Sequence, residues 1–278
     1  MRHHEAALVE ALESCAAAVK QVAPRRWGFE LANGRAFPVS ARALDGWLVL
    51  EAAGPAVSKG EPWSLLERTG RIGGWSKFAL APGWREARLR AEIPLADGIE
   101  LRQRVQEACA GFREGLHPGV APSSEPGEPR RDEALASWPT LLGEAGWSFT
   151  ERADHLLVDL GVPGRWQQAR LDERTGGGGR LCVTIAGSEA TSTLARQALG
   201  LLLLCANATI RLARAAASGQ SAGEAVFEVA FGTRPSAAEL GCALSALSVA
   251  CRLFGREARA VEHEDVAQRY LELQGWLS

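Results

Sequence analysis

Apolar residues recur along this chain in two rhythms, and the order of those rhythms repeats. Near the start Ala7, Leu8, Leu12, Cys15 and Val19 stand three or four apart, which predicts a helix with one buried stripe. Strand patterns follow. Arg35 to Leu44 runs into Asp45-Gly46, a two-residue hairpin signal, and Trp47 to Glu51 is the return strand. A short helix is expected from Pro62 to Glu67, because a proline in the first helical turn loses no hydrogen bond. Glu86 to Ile93 alternates again, Pro94 ends it, and a helix carrying Ala108-Cys109-Ala110-Gly111-Phe112 comes next.

The second half repeats this order. A short helix through Leu135, Leu141 and Leu142 precedes strands over His155 to Leu160, Trp166 to Glu173 and Leu181 to Gly187. A long Leu/Ala-rich helix is expected from Thr193 to Ala217, then a strand from Glu224 to Phe231 and a helix carrying Ala250-Cys251-Arg252-Leu253-Phe254. Trp-x-Phe also occurs twice, at Trp27-Gly28-Phe29 and Trp147-Ser148-Phe149, so Trp27 and Trp147 read as matching core positions. Glu86 to Ala108 spans 108 − 86 = 22 residues and Glu224 to Ala250 spans 250 − 224 = 26. The difference is about one helical turn, which preserves the buried face.

Between the halves, His117 to Pro129 holds four prolines and two glycines with no apolar period, the composition of a linker. The expectation is an α+β protein of two similar domains, 1–116 and 132–278, joined by a Pro-rich linker at 117–131. Each is an antiparallel sheet packed by helices in the order α-β-β-β-α-β-β-α.

Composition removes several functions. The 278 residues carry 31 Lys+Arg against 33 Asp+Glu; residues 1–120 sum to 16 − 14 = +2 and the rest to 15 − 19 = −4. Neither half has the one-signed excess of a nucleic-acid binder. Lysine is confined to Lys20, Lys59 and Lys77, an arginine bias that carries no function by itself. Six scattered cysteines without a C-x-x-C pair argue against a zinc site and for reduced core thiols. The start of the chain lacks a signal-peptide pattern, and the most apolar run, Gln197 to Ile210, is too short to span a bilayer. A cytoplasmic protein with no cofactor, no nucleic-acid partner and no membrane span is expected.

Candidate chemistry is sparse. Gly176 to Gly179 leads into a strand and not a helix, so it reads as a hairpin tip and not a phosphate loop. His155 near Asp154 and Asp159, and His263 between acidic residues, are the possible acid–base groups. More telling are strand faces that are apolar on both sides. Trp47 and Val49 share a face with Glu51, and Val226, Glu228 and Ala230 form the outward face of a strand whose Phe227, Val229 and Phe231 point inward. Such faces need a cover, from the other domain or from a partner. Trp47, Val49, Val226, Glu228 and Ala230 are therefore the candidate partner-binding residues.

The pattern resembles the type III secretion chaperone-like superfamily, which includes the class I effector chaperones and the YbjN-like proteins. The likeness is carried by Leu65-Leu66 through Phe78-Ala79-Leu80, by Ala87 to Leu95 and by the helix to Phe112. In the second copy it is carried by Leu201 to Asn207, Val226 to Phe231 and the helix to Phe254. The first copy has Thr69-Gly70 where the second has Asn207. The resemblance implies a protein-binding chaperone or adaptor holding a partner segment, with the usual homodimer built inside one chain as a tandem pseudo-dimer. The alternatives are a scaffold subunit of a larger assembly and a hydrolase using a His–carboxylate or thiol site.

Overall fold

Two six-stranded antiparallel sheets form the frame, one from each half of the chain. The computed structural model describes residues 2–33, 35–58, 62–116, 136–161, 168–174, 177–186, 192–218 and 223–277. The first half runs α1 (Arg2–Glu13), β1 (Val19–Ala23), β2 (Arg26–Asn33), β3 (Arg35–Leu44) and β4 (Trp47–Ala56). It continues through α2 (Pro62–Arg71), β5 (Ser76–Ala79), β6 (Glu86–Pro94) and α3 (Leu101–Leu116). The second half runs α4 (Trp138–Glu144), β7 (Phe149–Glu151), β8 (Leu156–Asp159), β9 (Gln168–Glu173) and β10 (Gly179–Ala186). It ends with α5 (Thr193–Thr209), β11 (Arg214–Ala217), β12 (Ala225–Phe231), α6 (Ala237–Ala260) and α7 (Glu264–Leu273).

The sheets are ordered β1-β2-β3-β4-β6-β5 and β7-β8-β9-β10-β12-β11, the same path element for element. The duplicated α+β architecture is therefore present, with α7 as an addition to the second copy. Each copy has four strands between its first two helices and not the expected three. Val19 opens β1 and does not extend the first helix, which ends at Glu13 and closes through the Cys15 N–H to the Leu12 carbonyl. The helix expected from Thr193 to Ala217 stops at Thr209, Leu212 takes a φ of +62°, and residues 214–217 become β11. The two Trp-x-Phe steps do not correspond. Trp27 and Phe29 are buried in β2, whereas Trp147 is half-buried ahead of β7, the counterpart of β1. The linker at 117–131 and Trp166 lie outside the described residues.

Local chemistry explains the elements. Asp45 and Gly46 both take positive φ, 50° and 77°, as the β3–β4 hairpin requires. Ser137, Ser192 and Ser236 cap α4, α5 and α6 by accepting from the third backbone N–H, and Glu239 completes a capping box at Ser236. Val105, Ala108, Cys109 and Phe112 give α3 the buried stripe that packs on β2, β4, β5 and β6. In the second domain α6 packs on β10 and β12.

The domains are not separate globules, because the buried apolar side chains of both halves form one continuous cluster. Helices α2 and α5 lie against each other between the sheets, and each also touches both β5 and β11. Gly200 permits that approach, since a Cβ there would stand 2.8 Å from the Trp63 backbone nitrogen.

Candidate functional site

The polar chemistry of the molecule concentrates where the halves meet. Strands β5 and β11 are the inner sheet edges. Lys77 lies opposite Arg90 and Arg214 opposite Glu228. The two partner positions match under the offset of 138 that relates Glu86 to Glu224, so Lys77 and Arg214 are counterparts. Each reaches into the other domain. The Lys77 Nζ donates to the carbonyls of Ile210 and Ala213 at 2.6 and 3.0 Å, in the α5–β11 loop. Arg214 NH1 donates to the carbonyls of Ile72 and Ser76 at 2.9 and 2.7 Å, in and after the α2–β5 loop.

Each cation has a carboxylate from its own domain. Lys77 is 2.9 Å from Glu92, and Arg214 is 2.8 Å from Glu228, with all four side chains at most 2% exposed. Burial pushes the Lys77 ammonium below its usual range, and Glu92 opposes that. Each carboxylate also meets a second arginine of its own sheet, Arg90 at Glu92 and Arg180 at Glu228, so the charges form two buried clusters whose members depend on one another. They specify how the halves dock.

Neutral side chains seal the same edges. Asn207 accepts the Ala215 N–H at 2.6 Å and donates Nδ2 to the carbonyls of Ala215 and Phe78, at 3.0 and 2.9 Å. It thereby serves one edge strand from each domain. Thr69 is its counterpart in α2, accepting the Phe78 N–H at 3.3 Å and donating to Leu65. The Leu80 N–H adds a backbone bond to Leu204.

A second seam joins α3 to α6. Arg104 donates to both oxygens of Glu239 at 2.8 and 2.7 Å and to Glu107 at 2.7 Å. Its guanidinium lies over Trp75 and Phe231, with centroids at 5.1 and 5.6 Å. The α6 cap is thus also an interdomain clamp.

These seams settle the fate of the candidate faces. Val49, Val226, Glu228 and Ala230 are 2%, 2%, 0% and 3% exposed, and Trp47 is half-buried. The second domain covers the first face, with Arg211 over the Trp47 ring at 5.4 Å and Arg90 donating to the Ala208 carbonyl. On the second face Glu228 is tied through Arg214 to the loop after α2, and α2 itself meets the neighbouring strand β11. The candidate partner-binding residues are thus covered from within the chain, and Glu228 sits buried between Arg214 and Arg180.

The remaining candidates separate. His155 pairs with Asp154 at 2.6 Å and not with Asp159, whose carboxylate accepts the Gly161 N–H. The His155 ring holds the exposed Asp154 carboxyl below the usual range. His263 is exposed at the start of α7 and makes no capping bond. Among the described residues no three His, Cys, Asp or Glu gather as a metal set. Gly178 and Gly179 make the β9–β10 turn a packing site, because a Cβ on Gly179 would stand 2.4 Å from the Trp138 ring.

Two open features stand out among the described residues. One is a cleft of about 330 Å³ at the domain junction, lined by Glu51, Trp84, Arg88, Arg90 and three alanines, with Arg88 stacked on Trp84. The other is apolar surface on the last two helices. Of seven large apolar side chains exposed among the described residues, Val249, Leu253, Val266 and Leu273 lie on α6 and α7. Compared with known proteins, the chain matches no family model, no curated protein and no solved structure.

Proposed function

We propose that the chain is a non-enzymatic, chaperone-like adaptor that holds an apolar protein segment against its carboxyl-terminal helices. One observation carries the reading. Helix α6 is apolar over most of its length, yet part of that apolar surface faces solvent. Val249 and Leu253, four residues apart, are half-exposed on it, and Leu273 on α7 is 76% exposed. Two apolar side chains at i and i+4 offer the footing that an amphipathic partner helix uses. Occupation of the inner sheet edges and of the candidate strand faces within the chain supports the helices as the footing for a partner.

The test is site-specific photocrosslinking in native lysate from position 253, with Glu30 in β2 as the exposed control. One partner species labelled from 253 and not from 30, and lost in Val249→Asp with unchanged thermal unfolding, supports the reading. Equal labelling from both positions, or labelling indifferent to Val249→Asp, overturns it.

A further inference from the structure

A stripe on α3, formed by Arg102, Gln106, Cys109 and Arg113, meets the end of α1 and the turn after it. Arg102 lies 3.7 Å from Glu10, Gln106 donates to Ser14 Oγ at 3.3 Å, and Arg113 donates to the Cys15 carbonyl at 3.2 Å. Cys109 lies between Gln106 and Arg113 on that stripe and so faces the Cys15 turn that both of them bind, and Ser14 Oγ stands 3.6 Å from the Cys15 sulfur. The two thiols differ in access: Cys15 is half-buried and Cys109 is fully buried.

They differ in acidity as well. The Cys109 S–H bond, aided by Ser14, Arg113 and Arg102 and opposed by burial, brings Cys15 down to about 7. Cys109 is pushed well above the usual thiol range by that same bond, by burial and by the Cys15 charge. Burial raises Cys182 and Cys205 to about 11 and Cys251 to about 12. A thiolate with partial access is the reactive form of cysteine, and the other sulfurs named are protonated at neutral pH.

We propose that Cys15 is a peroxide-reactive thiol and Cys109 its resolving partner, the two closing a reversible disulfide between the end of α1 and the middle of α3. The Cys15 thiolate attacks one peroxide oxygen, an S–O bond forms, the O–O bond breaks and hydroxide leaves to become water. The Cys109 sulfur then attacks the Cys15 sulfur. The S–S bond forms, the S–O bond breaks, and the Cys109 proton leaves with the departing oxygen as a second water. Two thiols lose two electrons and one peroxide gains them. The first step prepares the second, because turning Cys15 into a sulfenic acid removes the charge that holds the Cys109 proton. A small dithiol reverses the bond by exchange.

The experiment treats the full, reduced chain with hydrogen peroxide near neutral pH, counts thiols after denaturation and maps the peptides. The six free thiols should fall by two, with a Cys15–Cys109 cross-link that dithiothreitol removes. Cys109→Ser should instead accumulate a Cys15 sulfenic acid that dimedone traps, and Cys15→Ser should lose no thiol. Should a variant fail to fold, iodoacetamide labelling of the unmodified chain decides. Cys15 should react at least ~10-fold faster than Cys242 at neutral pH, with a rate that half-rises near 7. A constant thiol count, a cross-link to another cysteine or equal labelling of Cys15 and Cys242 overturns the proposal.

Discussion

Lys77 and Arg214 stand at the same place in two copies of one fold, and each crosses into the other copy to bind the loop before its inner edge strand. The chemistry of the two crossings differs. Lys77 is a compact ammonium that meets two carbonyls and Glu92. Arg214 is a planar fork that spans the carbonyls of Ile72, Gly74 and Ser76 together with Glu228, a geometry lysine lacks. One topological task has been filled by two side chains, and the second ties down more backbone.

Substitutions can break this comparison in graded steps. Arg214→Met should have the largest effect. It leaves buried Glu228 with Arg180 as its remaining cation and takes the donor from the carbonyls of Ile72, Gly74 and Ser76, and the cost should be about 3–5 kcal/mol in chemical denaturation. Lys77→Met should fall at the low end of that range, about 3 kcal/mol, because fewer acceptors are stranded. Equal losses would show that the extra carbonyl contacts of Arg214 contribute nothing.

The neutral pair sharpens the same contrast at smaller scale. Asn207→Ala strips partners from both edge strands and should cost about 2–3 kcal/mol, whereas Thr69→Val orphans chiefly the Phe78 N–H and should cost about 1 kcal/mol. The smallest effect is a pH dependence confined to one side. Burial lowers the Lys77 pKa from its ordinary 10.5, so between the folded value and 10.5 the unfolded chain holds a proton that the folded chain lacks. Stability from this group therefore rises with pH across that window. Lys77→Met should flatten the alkaline limb of the unfolding profile, whereas Arg214→Met, which removes a nearby cation that adds to the lowering, should only narrow the window.

The frame was readable wherever one residue decided it. Asp45-Gly46 forms its hairpin, Pro62 opens α2, and the alternation from Glu86 to Ile93 is β6 with Leu89, Ala91 and Ile93 inward. The inner edge strand β11 was not readable. Arg-Ala-Ala-Ala favours a helix locally, and only contacts with α2 and pairing with β12 make it a strand. The apolar outer faces were visible in the sequence as surfaces needing cover, but alternation cannot say whether the cover comes from a neighbour or from the same chain.

The charged seam left a signal that could be found. Lys77 is one of three lysines and stands in a fully buried four-residue strand. Glu92 likewise sits among apolar neighbours at a covered position. A charge in such a place implies a buried partner, although not which one. In sequence Thr69 departs from the second copy, yet it makes the same bond to its edge strand as Asn207 does.

Asn207 also bears on why two copies are joined in one chain. Its amide bridges Phe78 and Ala215, so it works at the line where the halves mirror each other. In an assembly of identical subunits every substitution arrives twice, and two asparagines reaching for that line would contend for the same space. Fusion lifts that constraint: one copy keeps the bridging amide, the other settles on threonine, and the halves are free to evolve apart while remaining each other's obligate partner.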